Sequence, residues 1–207
     1  MVVVDDYSPD GTWKIVESIA GQNPNVKLIL RADRRGLATA VAKGVQSAEG
    51  EVLIWMDCDL SQPTELIPKL IEALQECDIA LASRYVKGGG MRYSLSRRMT
   101  SKLVNLFAGL LLGFSVKDYT SGFLAVKREV FDKVEIRNVG GGYGEYFIAF
   151  LHDAKENGFK IKEVPYMYVP RKVGLSKTSP STLALLKHGF SYCRTVVALR
   201  FTGSGSG

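Results

Sequence analysis

The sequence predicts an α/β domain with one mainly parallel sheet and helices on both of its faces. Three observations carry that expectation. Short apolar runs alternate with amphipathic stretches, turn residues mark the junctions, and acidic or polar residues follow several of the apolar runs.

Val2-Val3-Val4-Asp5 reads as a short strand. Gly11–Ala20 follows as an amphipathic helix, with Trp13, Val16 and Ile19/Ala20 at helical spacing. Val26–Leu30 is a second strand, and Leu37–Ala48 a second helix stopped by Glu49-Gly50. Val52–Met56 is an apolar strand, Pro63 stands just inside a helix running to about Glu76, and Ile79–Ala82 is the next strand. This βαβαβαβ succession implies parallel strands with a ligand crevice at their carboxyl ends. Asp5-Asp6, Asp57-x-Asp59 and Ser83-Arg84 all fall there.

After Arg84 the pattern changes. Lys87-Gly88-Gly89-Gly90 reads as a mobile loop, Ser96–Leu112 as a helix and Gly122–Val126 as a strand. Tyr143–Glu156 is a helix, Lys160–Val164 a strand and Thr182–Leu199 a terminal amphipathic helix. With no repeat and no second core, residues 1–201 form one expected domain and 202–207 a flexible Gly/Ser tail. The opening inside a strand and the Gly-Ser end suggest a truncated or engineered piece, with an inactive fragment or scaffold as one reading.

At 207 residues the chain can bury a proper core, and 46% hydrophobic with 23% charged residues is ordinary for a soluble protein. The net charge of +6 suits anionic partners: phosphorylated ligands, nucleic acid or an acidic membrane surface. No recognised nucleic-acid module accompanies the basic residues. Only two histidines, His152 and His188, exclude a His-rich metal centre. Cys58, Cys77 and Cys193 form no CxxC, which fits a reducing, cytosolic setting. The apolar stretch Leu106–Phe114 falls well short of the roughly 20 residues that span a bilayer, and no signal peptide is visible. Gly88-Gly89-Gly90 and Gly140-Gly141-Gly142 match no phosphate-loop pattern, and Ser121-Gly122 has no histidine nearby for hydrolase chemistry.

Asp57-Cys58-Asp59 is the most informative stretch. Two carboxylates two residues apart, at the end of an apolar strand, are how an α/β sheet offers a divalent cation to a diphosphate. Alone, the same pattern is also a solvated acidic strand end.

Val2-Val3-Val4-Asp5-Asp6-Tyr7-Ser8-Pro9-Asp10-Gly11-Thr12 resembles the VVDDxSxDGT motif of family 2 glycosyltransferases, which have the GT-A fold. The similarity continues at Arg35-Gly36-Leu37-Ala38-Thr39-Ala40, Met56-Asp57-Cys58-Asp59-Leu60, Ser83–Gly89 and Asp118-Tyr119-Thr120-Ser121-Gly122-Phe123. Within that family the chain most resembles dolichol-phosphate (polyprenol-phosphate) mannose synthases, over roughly residues 2–200. The family begins with a strand, a Pro-x-Tyr-Asn-Glu segment and a helix that this sequence lacks. The resemblance therefore implies a GT-A, Rossmann-like sheet without its first strand.

It further implies that Asp57 and Asp59 hold Mg²⁺ or Mn²⁺. Ser61, where these synthases often carry Gln and with Gln62 one step on, is implied as the third metal-side contact. Val4, Asp6 and Cys58 are implied on the nucleotide side, and Arg84 facing the phosphates. Arg171 and Lys177, flanking Val173-Gly174-Leu175-Ser176, resemble a loop that closes over donor diphosphate. Alternatives stand beside these roles: an Asx-type turn for Asp6, and an exposed basic loop around Arg171. Glu145 is a helix-start acid or a sugar contact. Arg97 (or its neighbour Arg98), Ser101 and Asn105 at i, i+4 and i+8 put a cation, a hydroxyl and an amide on one helix face. That face suits an acceptor phosphate or is simply solvated.

The implied reaction moves mannose from GDP-mannose to a dolichyl or polyprenyl phosphate, with UDP-glucose or another UDP-sugar as the alternative donor. A phosphate monoester with second pKa about 6 is a nucleophile without a general base. One in-line attack inverts the anomeric centre. The lipid acceptor implies work at the cytoplasmic face of a membrane. Leu183, Leu185, Leu186, Phe190, Tyr192, Val196, Val197 and Leu199, with Lys187, Arg194 and Arg200, suit an interfacial helix or one packed on the sheet.

Overall fold

A computed structural model describes residues 1–33, 36–113, 115–139, 143–170 and 182–202. β1 (Val2–Asp5) and β2 (Lys27–Leu30) pair in parallel, from Val2 opposite Lys27 to Asp5 opposite Leu30. β3 (Val52–Trp55), β4 (Ile79–Ser83), β6 (Leu124–Lys127) and β7 (Ile161–Pro165) form a second sheet in the order β3-β6-β4-β7. β5 (Gly90–Met91) and β8 (Met167–Tyr168) make a short parallel pair. Among the described residues β1 and β3 do not pair with each other, so the sheet is split at that point.

β4 pairs in parallel with β7, but β6 lies antiparallel between β3 and β4. The apolar run Leu124–Val126 reads the same in either direction, which is why its sense was not visible in the sequence. The expected mobile loop at Lys87–Gly90 is corrected: Gly89 N–H bonds to the Val86 carbonyl and Gly90 N–H to the Tyr166 carbonyl, so the segment is stitched to β8. The helix expected from Pro63 starts as a 3₁₀ turn at Thr64–Leu66, and α3 follows at Ile67–Ala73. Pro68 has no N–H to give the Thr64 carbonyl, so the α-helical ladder cannot run through this point.

α1 (Thr12–Gln22) and α2 (Leu37–Ser47) cover the first ribbon. α1 buries none of its residues fully; Trp13, Val16 and Ala20 are half-buried while Ile15 and Ile19 stay exposed. The second sheet is covered on both faces. Along β4, Ile79 and Leu81 enter one core while Ala80 and Ala82 enter the other, as the period of a strand requires. β6 splits likewise, with Leu124 and Val126 on one face and Ala125 on the other. The larger core takes in α5 (Glu145–Glu156), whose residues 145–154 are all buried. Trp55 sits edge-on to Phe147 and Phe150 there, with ring centroids 6.1 and 5.2 Å away. α3 covers the smaller core. α4 (Leu95–Leu112) packs along α6 (Thr182–Thr202), which also contacts α5.

Gly89 is where the backbone allows no side chain: a Cβ there would lie 2.5 Å from the Ser83 carbonyl oxygen and 3.0 Å from the Arg84 carbonyl carbon. Gly89→Ala should therefore cost about 1–3 kcal/mol, the usual range for overpacking, read as a lowered urea midpoint. Gly21→Ala, with nothing within 4 Å of the new methyl, should instead gain about 0.5–1 kcal/mol.

Candidate functional site

β3 delivers the Asp-x-Asp turn, and a buried side chain holds that turn in place. Gln62, 1% exposed, accepts the Asp57 N–H at 2.8 Å and donates to the Ser121 carbonyl at 3.4 Å. Asp59 Oδ1 accepts the Ser61 N–H at 3.0 Å. Between them Leu60 adopts φ 62 and is exposed, a left-handed conformation that costs a non-glycine residue energy. Asp57 is exposed and Asp59 half-buried, while the Ser61 hydroxyl is buried and has no hydrogen-bond partner among the described residues.

Arg84 follows directly on β4, and a fully buried carboxylate fixes it. Asp118 accepts the Arg84 backbone N–H at 2.9 Å, Nε at 2.8 Å and Nη2 at 2.6 Å, and Nη2 also reaches Thr120 Oγ1 at 2.8 Å. Burial works against the guanidinium charge, but Asp118 more than offsets it and holds the arginine's pKa above its ordinary value. Asn105 locks the segment from the helix side, accepting the Tyr119 N–H and donating to Thr120 Oγ1. Its amide is therefore spent inside the protein, which corrects the expectation that it shares a ligand-binding face with Arg97 and Ser101.

Asp57, Arg84, Arg97 and Ser101 line one cavity of about 200 Å³. Tyr93, Tyr143, Tyr146, Tyr168, Tyr192 and His188 complete much of its wall. The Arg97 guanidinium sits 3.8 Å from the Tyr93 ring centroid, and Tyr93 and Tyr168 lie 5.2 Å apart with hydroxyls at 3.1 Å. Burial, with the Glu145 charge adding, pushes Tyr192 up to about 12; burial and Asp57 raise Tyr146 as well. Both phenols are therefore neutral near pH 7. The structure separates the neighbours Arg97 and Arg98: only Arg97 shares this cavity.

Of the other expected site residues that are described, Val4, Asp6, Cys58, Asp59, Ser61 and Glu145 do not line this cavity. Asp6 accepts Arg31 Nε at 2.7 Å and Gly36 N–H at 2.9 Å, while the turn onto Ser8 N–H belongs to Asp5. Val4 is half-buried in β1 with Gly44 of α2 beside it, and Cys58 is exposed. Glu145 is fully buried and accepts the Tyr143 N–H and the Ser191 hydroxyl, as a helix-start acid does. Arg171 and Lys177 lie outside the described residues. Sequence reasoning missed the tyrosine wall and the roles of Gln62 and Asp118. Asp118 was visible as the first residue of the Asp118–Phe123 motif, but nothing in its spacing links it to Arg84, 34 residues earlier.

Fold and site together define an α/β domain of GT-A type, with acidic and basic strand ends facing a ligand crevice. The chain belongs to glycosyl transferase family 2, whose description matches residues 1–135. A dolichol-phosphate mannosyltransferase of Pyrococcus furiosus is 37% identical over 203 residues, covering 96% of this chain but 54% of that protein. A polyprenol monophosphomannose synthase of Mycolicibacterium smegmatis is 35% identical, covering 88% of this chain and 71% of its own. The chain thus spans about half the length of the archaeal relative. Among solved structures, glucosyl-3-phosphoglycerate synthase from Mycobacterium tuberculosis, in complex with Mn²⁺, UDP and glucosyl-3-phosphoglycerate, superposes with a TM-score of 0.62. It is 18% identical and covers 95% of this chain and 66% of that one, a likeness of fold.

The donor set suits a hard divalent cation. Two strand-end carboxylates and a buried hydroxyl without a partner among the described residues offer oxygen only. No group of three or more His, Cys, Asp or Glu among the described residues is placed to hold a metal ion, so the remaining ligands would have to come from diphosphate and water.

Asp118→Asn would leave the Arg84 charge buried without its counter-ion; a loss of about 3–5 kcal/mol is expected in chemical denaturation. Glu163 accepts the N–H groups of Lys117 and Asp118. Burial raises its carboxyl above the ordinary range, the Ser83 and backbone hydrogen bonds pull it back, and Asp118 raises it again. The folded state therefore holds this proton more tightly than the unfolded chain. Its contribution is fully present below the ordinary glutamate pKa and lost as pH rises through the raised value. Glu163→Gln should flatten the stability–pH curve in that window.

Proposed function

We propose that this chain carries the catalytic domain of a metal-dependent, inverting glycosyltransferase that moves mannose from GDP-mannose to a dolichyl or polyprenyl phosphate. The observation that carries the reading is the cavity shared by Asp57, Arg84, Arg97 and Ser101: an acid beside two cations and a hydroxyl, beyond the carboxyl ends of β3 and β4. The names borne by the two mannosyl-transferring relatives support the same substrate class.

Asp57 and Asp59 would hold Mg²⁺ or Mn²⁺ with Ser61 nearby, and the ion supplies charge neutralisation at a departing diphosphate. Arg84, fixed by Asp118, keeps a permanent positive charge at the same wall. Arg97, oriented by its stacking on Tyr93, grips the acceptor phosphate with Ser101. Val4, Asp6 and Cys58 serve the nucleotide side, and Arg171 and Lys177 close over the diphosphate. At about 200 Å³ the cavity suits a sugar or a phosphate and is smaller than the roughly 300–1,000 Å³ of most ligand pockets, so the nucleotide extends beyond it.

The acceptor dianion attacks the anomeric carbon in line with the leaving diphosphate, so the product linkage is β. No proton has to be removed, and the neutral tyrosines of the wall donate hydrogen bonds rather than act as bases. Catalysis is positioning plus electrostatic stabilisation.

A seat on the membrane surface agrees with the outer face of α4. Leu95, Met99, Leu103, Leu106 and Leu110 recur at helical spacing and are all more than half exposed, and Phe190 and Phe201 of α6 are equally bare. Among the described residues no helix is long and apolar enough to cross a membrane.

With a short-chain polyprenyl phosphate, turnover of GDP-mannose is expected to exceed that of UDP-glucose, and Asp57→Ala to lower it by at least ~100-fold, as removal of a transition-state contact does. Preference for UDP-glucose would overturn the donor assignment; normal turnover by Asp57→Ala would overturn the mechanism.

A further inference from the structure

We infer that the chain has a second lipid site, on the opposite flank of α4, that takes the phosphate headgroup of an anionic membrane phospholipid. The inference rests on the membrane seat described above and concerns neither donor nor acceptor.

Between α4 and the segment following β4 lies a cavity of about 660 Å³, far larger than the one holding Asp57. Arg98, Lys102 and Lys117 line it, all three exposed and none in an ion pair among the described residues. The acids of the adjoining 117–118 segment and β7 are committed inward: Asp118 to Arg84, and Glu163 to the N–H groups of Lys117 and Asp118. α4 itself contains no Asp or Glu. Three uncompensated cations around one hollow repel each other, and an anion relieves that repulsion.

The rest of the lining selects the kind of anion. Met91, Met99 and Leu106 give the cavity an apolar body, and Met99 and Leu106 belong to the exposed stripe of α4. A free phosphate would leave that surface wet, whereas a phospholipid covers it with chain while its headgroup meets the cations. Consecutive residues on a helix point about 100° apart. Arg97 therefore faces the Asp57 cavity while Arg98 faces this one, and α4 divides an acceptor site from a membrane-lipid site.

The test uses the full chain and vesicle co-sedimentation on phosphatidylcholine with and without phosphatidylglycerol, comparing two triple variants. Arg98→Gln/Lys102→Gln/Lys117→Gln empties the cavity of charge; Lys187→Gln/Arg194→Gln/Arg200→Gln removes three cations from α6. The cavity variant should lose roughly 100-fold of the phosphatidylglycerol-dependent affinity, at a few-fold per cation, and the α6 variant clearly less. Equal losses would mean diffuse attraction and overturn the site. In solution, dihexanoyl phosphatidylglycerol should bind the wild type and not the cavity variant. Equal binding of inorganic phosphate, or displacement by a short-chain polyprenyl phosphate, would also overturn it. A wild type that ignores every vesicle yet binds the dihexanoyl lipid would sink the membrane seat and leave the site standing.

Discussion

The buried pair between Arg84 and Asp118 is the constraint on which the rest of the site depends. A guanidinium and a fully buried carboxylate are tolerable in an interior only when their hydrogen bonds are satisfied. Here Asp118 takes the backbone and side chain of Arg84, Thr120 supports the guanidinium, and Glu163 holds the Asp118 N–H. The pair thereby ties the end of β4 to the 117–120 segment and, through Asn105, to α4. Arg84 lines both cavities, so a single ion pair sets the wall they share.

α4 turns that wall into two environments. Its inner side packs on α6 and buries Val104, Ala108 and Leu112. One flank offers Arg97 and Ser101 to a tyrosine-walled cavity, and the other offers Arg98 and Lys102 to a wider, more apolar one. The outer stripe is left to solvent. A helix with an exposed apolar stripe, cations on both flanks and no acids is poorly suited to a purely aqueous surface. It is well suited to an interface between protein and anionic lipid.

Much of the fold was legible in the sequence because it rests on local pattern. β1, β3 and β4 are apolar runs, α2 and α4 have clear helical periodicity, and each lies within a few residues of its expected span. What was not legible depends on pairing across long distances. The sense of β6 is invisible in Leu124-Ala125-Val126, and the pairing of Gly90-Met91 with Met167-Tyr168 joins residues 77 apart with no hydrophobic signal. In the site, Asp57, Arg84, Arg97 and Ser101 were each readable from position or spacing, and the fold brings them to one cavity. Gln62 and Asp118 were not, because their work is done on backbone N–H groups and on another side chain rather than at a strand end.

The account comes down to oxygen ligands at the tip of β3 meeting a pyrophosphate through a divalent ion. Calorimetric titration of GDP into the full chain, with Mn²⁺ and then with excess chelator, examines that contact without requiring turnover. The account predicts binding that appears only with the metal and disappears when Asp57 and Asp59 are both changed to Asn. GDP bound with the same affinity in chelator, or undiminished by the double substitution, would contradict it.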